Sequence, residues 1–176
     1  MADVLISIRP EWVKKILAGE KTVELRRTIP KMPTPFRCFI YETKSGGGCG
    51  MVIGEFACRR IDRYVMIGTK CGDRSYIRKD GHKRVPIDYG PLQLTEQELR
   101  TYGRGGLPLY GWHISALKVY DHNRPISDFF KPCGASNCVI CEKAVWTGTY
   151  QNDCQNRLLS PPESWRYVEE GRDGRQ

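Results

Sequence analysis

The chain has 176 residues, of which 40% are hydrophobic, and 28 Lys and Arg against 20 Asp and Glu give a net charge of +8. That length suits one domain with a full core and at most a small appendage. No apolar run reaches the roughly 20 residues that span a bilayer, and the N-terminus lacks a basic region followed by an apolar stretch and a cleavage site, so a cytoplasmic protein is expected, with no membrane role and no evident protein partner.

The predicted elements run as follows. Val4–Ile8 is an apolar strand. Pro10–Ala18 is a helix, with proline in the first turn, Trp12, Val13, Ile16 and Leu17 at helical spacing, and Gly19 as its stop. Lys21–Arg27 is a strand. The proline-rich run from Ile29 to Pro35 cannot sit inside a sheet. Phe36–Thr43 and Met51–Ile61 are strands joined by the turn Ser45-Gly46-Gly47-Gly48, a hairpin. Tyr64–Gly90, carrying Lys70, Arg74, Arg78, Lys79, Lys83 and Arg84 with Tyr76 and His82, reads as a long basic loop, either a mobile insert or a segment lying over a nucleic-acid backbone. Thr95 and Glu98 form a capping box opening a short helix to about Tyr102. Trp112–Tyr120 is a strand, and Pro125–Phe130 one helical turn. From Gly171 the chain is a polar tail.

The run Gly19-Glu20-Lys21-Thr22-Val23-Glu24-Leu25-Arg26 concentrates chemistry. Lys21, Glu24 and Arg26 fall within six residues at the mouth of a strand, a grouping that costs electrostatic energy unless a network or a ligand uses it. Alternation puts Val23 and Leu25 on one face and Glu24 and Arg26 on the other, roughly 6–7 Å apart. Lys21 has the wrong parity and joins them only if the chain bends just after Gly19. The surrounding charge is one-sided: residues 1–90 hold 18 Lys and Arg against 10 Asp and Glu, whereas residues 91–176 hold 10 of each. Such a field favours polyanionic partners.

The order Gly-x-Lys-x-x-Glu-x-Arg after an Ile-Arg-Pro-Glu-Trp helix resembles the ASCH domain, a branch of the PUA-like superfamily. Gly50-Met51-Val52-Ile53-Gly54-Glu55-Phe56 is similar to a central strand of those domains. Tyr110-Gly111-Trp112-His113-Ile114-Ser115 with Leu117–Tyr120 is similar to a late strand. Pro161-Pro162-x-Ser-Trp165 resembles the end of versions found in bacteria and their prophages. The resemblance implies an α+β, mainly β fold: a PUA-like, partly open β-barrel of about five to six strands over residues 1–130 with flanking helices. A small Cys-containing C-terminal extension, 131–170, would pack on it, followed by the tail 171–176. It also implies an RNA-linked role. A few small ASCH members are amidohydrolases acting on acetylated cytidine with the motif lysine in the active site, and another is a ribonuclease. The amidohydrolase type carries threonine where this chain has Glu24, a departure that weakens that transfer.

Two functional classes follow. In a binding module the barrel cleft holds RNA or a nucleotide: Arg26 contacts a phosphate or base edge, Glu24 accepts from a base amino group and Lys21 neutralises backbone charge. In a small hydrolase, acting on acylated cytidine or RNA, Lys21 is general base or nucleophile beside Glu24. That needs a lowered pKa, which burial and Arg26 favour and Glu24 opposes, so the residues favour binding. Further candidates for the ligand surface are Arg9, Trp12 and Tyr41 for stacking or phosphate contact, Glu55 as a carboxylate in an apolar strand needing a partner such as a motif cation, and His113 beside Trp112.

The eight cysteines divide in two. Cys38 and Cys58 suit small apolar core positions. Cys133, Cys138, Cys141 and Cys154 fall within 22 residues and could hold a structural zinc, remain free thiols, or form disulfides.

Overall fold

The computed structural model describes residues 3–68, 74–104, 106–133 and 154–170. Among them are strands β1 (Asp3–Ile8), β2 (Val23–Arg26), β3 (Phe36–Glu42), β4 (Val52–Gly68), β5 (Arg74–Asp80), β6 (Lys83–Val85), β7 (Leu109–Arg124), β8 (Phe129–Phe130) and β9 (Trp165–Glu170), with helices α1 (Pro10–Leu17) and α2 (Glu96–Tyr102) and one 3-10 turn at Ile126–Asp128. One sheet runs in the order β2-β7-β4-β3-β1-β9-β8, with β5 and β6 added beside β4. The mainly β class and the open, barrel-type sheet agree with the sequence reading. The strand count does not: nine strands among the described residues replace the expected five to six.

The extra strands come largely from the region expected to be a loop. β4 continues through Ile61 to Gly68, and β5 and β6 follow as antiparallel neighbours. Tyr64 and Tyr76 anchor this ribbon. Both are buried beside Leu92, Leu99 and Leu109, and Tyr76 Oη donates to the Leu107 carbonyl at 2.7 Å. The dense Arg and Lys of Tyr64–Gly90 mask that pattern, because only one face of the ribbon is covered. Lys70 lies outside the described residues.

β4 and β7 are long because each serves both ends of the molecule. The first half of β4 pairs with β3, its last residues pair with β5, and β7 runs antiparallel along it with register shifts, including one between Cys58 and Ile61. β1 lies parallel to β3 and antiparallel to β9. β1 is therefore interior to the sheet and buried on both faces, which explains its unbroken apolar run. Val4, Ile6 and Ile8 meet Val13 and Ile16 of α1, Phe36, Phe56 and Trp112 on one side. Leu5 meets Phe39, Phe129, Leu158 and Val168 on the other. Cys38 and Cys58 are wholly buried, as expected, and burial pushes the Cys58 thiol up to about 11. Residues 165–170, the last part of the expected extension, form β9 of the same sheet.

Candidate functional site

α1 ends as the sequence implies. Gly19 adopts φ +75°, the Gly19 N–H donates to Ile16 O at 3.0 Å, and the Glu20 N–H donates to Lys15 O at 2.9 Å. This left-handed exit suits glycine. The Lys21 N–H also donates to Lys15 O, so the chain is still turning at Lys21 and β2 starts only at Val23. The bend required to bring Lys21 to its partners is therefore present.

Lys21, Glu24 and Arg26 are 2%, 4% and 8% exposed. Lys21 Nζ donates to the Leu92 carbonyl at 2.7 Å, lies 3.5 Å from Glu24 Oε2, and sits 5.1 Å from the centre of the Trp12 ring. Arg26 Nη1 donates to Glu24 Oε1 at 2.6 Å, and its Nη2 donates to the Ser7 carbonyl at 2.6 Å. Burial pushes the Lys21 ammonium below the ordinary lysine value, while the Glu24 carboxylate works in the opposite direction. Three polar atoms on this side of the sheet are buried without a hydrogen-bond partner: Glu24 Oε2, Arg26 Nε and Trp112 Nε1. Glu24 and Trp112 are direct cross-strand partners in the β2–β7 pairing. Two donors are thus left unpaired around one ion cluster, and Glu24 Oε2 has only its 3.5 Å ion pair with Lys21.

The other candidates separate. Trp12 belongs to the cluster. Arg9 is at the start of α1, largely exposed and 3.9 Å from Glu11. Tyr41 is buried beside Phe39 and Val52, in register with Ser7 of β1. The partner suggested for Glu55, a motif cation, is not the one found. Glu55 accepts from the Tyr120 hydroxyl at 2.6 Å and lies 3.6 Å from Arg37, in a surface network with Asp3 and Glu170. His113 is paired in register with Val23, on the opposite face of β7 from Trp112. Its Nε2 lies 2.9 Å from Asp62 Oδ2, with Arg60 and Arg78 also on that carboxylate. Burial pushes the Asp62 carboxyl up, but His113, Arg78 and Arg60 together hold it below its ordinary value.

Several site partners escape a reading of single residues. The Ser7 and Leu92 carbonyls take part through their backbone, which carries no side-chain signal. Ser7 is also fixed by its hydroxyl, which donates to the Pro162 carbonyl at 2.6 Å, 155 residues away. Trp165 packs on Trp112 and donates to Thr28. The run Pro161-Pro162-x-Ser-Trp165 is the one sequence signal that points to this end of the chain.

Cys133 and Cys154 are half-buried free thiols. Phe130 bridges to Arg157, and the Lys131 N–H donates to the Asn156 carbonyl at 2.7 Å, so the segments leading to these two cysteines run side by side. Cys138 and Cys141 lie outside the described residues. Among the described residues no three His, Cys, Asp or Glu are grouped as metal ligands, and no helix is long and apolar enough to cross a membrane.

No family model matches the chain. A stretch of 42 residues, 24% of this chain, is 45% identical to an ASCH domain-containing ribonuclease of Zymomonas mobilis, and it spans only 28% of that protein's length. A crystal structure of a variant of the Zymomonas mobilis ASCH protein is similar with a TM-score of 0.53, at 20% identity and covering 95% of this chain and 90% of that one. A second crystal structure of ASCH from the same organism gives 0.50, at 23% identity and 95% and 87% coverage. The fold is the one read from the sequence, that of the ASCH domain.

Proposed function

We propose that this ASCH-domain protein binds RNA, with a base or nucleotide taken up beside Lys21, Glu24 and Arg26. The observation that carries the reading is the buried ion cluster in which Arg26 Nε and Trp112 Nε1 have no hydrogen-bond partner and Glu24 Oε2 has only a long ion pair with Lys21. Burying three ionised groups is unfavourable unless geometry and hydrogen bonding compensate, and replacing such groups by apolar ones is often stabilising. Unpaired buried donors and acceptors add to the cost. A base edge, which offers both donors and acceptors, would satisfy them, and Trp12 supplies an aromatic surface beside Lys21. The positive excess of residues 1–90 and the ribonuclease relative support RNA as the polyanion.

The test is a titration of single-stranded RNA followed by fluorescence anisotropy. Affinity is expected to fall steeply with salt, because phosphate contacts release counterions. Arg26→Ala should weaken binding by about 1–3 kcal/mol. Glu24→Gln, which keeps the side-chain shape, serves as the second variant should Arg26→Ala unfold. Absence of binding by the folded wild-type protein at low salt would overturn the reading.

A second reading, hydrolysis of RNA or of an acylated nucleoside, has one specific observation in its favour. Burial lowers the Lys21 pKa, as a lysine acting as base or nucleophile requires. Turnover by the wild-type chain that disappears in a folded Lys21→Met variant would support it; turnover unchanged in that variant would remove Lys21 from the chemistry.

A further inference from the structure

The site does not end at Arg26. Cross-strand pairing runs in one line over five strands: Arg26 opposite Tyr110, Tyr110 opposite Arg63, Arg63 opposite Lys79, and Lys79 opposite Arg84. Directly paired residues share a face of the sheet, and strands lie about 4.8 Å apart. The row therefore crosses roughly 19 Å, from the ion cluster to the free edge of β6. The row is buried at the site and exposed at its far end. Arg26 is buried, Tyr110 and Lys79 are half-buried, and Arg63 and Arg84 are exposed.

The three outer cations are unusual in their pairing. Like charges directly opposite each other weaken a sheet, yet Arg63, Lys79 and Arg84 stand side by side. Among the described residues none of them makes an ion pair or a side-chain hydrogen bond, whereas Arg60 and Arg78 share Asp62. The carboxylates adjacent in sequence do not help, because Asp62 and Asp80 have the opposite strand parity and belong to the other face. That other face is fixed: Tyr64 and Tyr76 are buried against Leu92 and Leu99, so the ribbon presenting the row is packed in place. Half-buried Val65 and Ile77, paired with each other, lie next to the row on the same face.

We infer that the row Tyr110, Arg63, Lys79 and Arg84 is a track for the backbone of single-stranded RNA leading away from the Lys21–Glu24–Arg26 site. The inference rests on the RNA reading above and adds to it a direction and a length: the strand leaves the site over β7 and β4 and crosses the β5–β6 ribbon. Tyr110 offers a ring for stacking at the point where the buried site meets the exposed track. The three cations neutralise successive phosphates, and the anion relieves their mutual repulsion.

The experiment compares wild type with the combined variant Arg63→Glu, Lys79→Glu and Arg84→Glu, whose positions are outside the core. The probes are a labelled single-stranded RNA of about twelve nucleotides and, by competition, a dinucleotide too short to leave the site. The variant should bind the long probe at least about tenfold more weakly, with a salt slope reduced by about two, roughly 0.7 for each of the three single-strand phosphates that no longer meets a cation. Dinucleotide binding should stay as in wild type. Arg63→Lys with Arg84→Lys should retain affinity for the long probe. If wild type binds neither probe, the RNA reading itself has failed. If wild type binds the long probe and the charge-reversed variant binds it equally well, the track is wrong. Wild-type binding to duplex DNA as tight as to the RNA, lost equally in the variant, would overturn single-stranded RNA as the occupant.

Discussion

An ammonium pressed against the Trp12 ring and the Leu92 carbonyl, with a carboxylate 3.5 Å away, is held by opposing forces. Desolvation wins at Lys21 and its pKa is lowered. For a lysine depressed in the folded state, the unfolded chain binds more protons between the lowered value and the ordinary 10.5, so this group makes stability rise with pH across that window. Below it both states are charged, and folding bears the full cost of burying the ammonium. Glu24 is the main influence opposing the shift. Glu24→Gln is therefore expected to move the Lys21 midpoint further down, read by NMR titration of the lysine side-chain resonances; an upward move would contradict the balance described. Glu24→Ala leaves two buried cations without their shared anion and should cost about 3–5 kcal/mol in denaturant unfolding. The triad was legible as a cluster in the sequence. Its backbone acceptors were not, because a carbonyl acquires its role only from the path of the chain.

Elements position these residues through close approaches that allow little substitution. Gly111 of β7 sits opposite Leu25 of β2, and a Cβ there would lie 2.7 Å from Val23 Cγ1 and 2.8 Å from Tyr64 Cε2. Gly111→Ala should push β2 away from β7. Thermal unfolding is expected to show a loss of stability larger than that of Thr95→Ala, for which removal of the α2 cap should cost about 1 kcal/mol. The capping box is present as read: Glu98 N–H donates to Thr95 Oγ1, and the Thr95 N–H donates to Glu98 Oε2. α1, the β3–β4 hairpin and α2 were legible because each carries local punctuation, namely proline, glycine or a cap. β5 and β6 were not, because a single buried tyrosine, Tyr76, defines the covered face of β5. The proposed zinc on Cys133, Cys138, Cys141 and Cys154 belongs at this scale too. One equivalent of zinc in protein purified without chelator, absent from Cys154→Ser, is the expected result; metal-free folded protein would leave the thiols free.

For the whole molecule, the decisive join lies between the two ends of the chain. β9 supplies the partner on one side of β1, with β3 on the other, so the C-terminal strand completes a core begun at residue 3. Trp165 stands opposite Ile6 and packs its ring on Trp112, and Val168 lies against Leu5 and Phe129. The segment just before β9 reaches the site as well. The Ser7 N–H donates to the Ser164 carbonyl and the Ser7 hydroxyl to the Pro162 carbonyl, and the Ser7 carbonyl in turn receives Arg26. The extension expected to begin at residue 131 thus includes a strand that the barrel sheet uses. Sequence order hides this, since the pairing partners are more than 150 residues apart and Trp165–Glu170 has too few apolar residues to announce an interior strand. Truncation before Pro161 should therefore do more than shorten a tail. It would expose one edge of β1, uncover Leu5 and Trp112, and release Ser7 from its two carbonyl partners. The truncated chain is expected to lose its cooperative thermal transition and, with it, the proposed RNA binding. A cooperative transition retained at the wild-type temperature would show that β1 and β3 hold the core without β9. If the fold survives but the proposed RNA affinity falls, the role of the segment lies in fixing Ser7 for Arg26 rather than in closing the sheet.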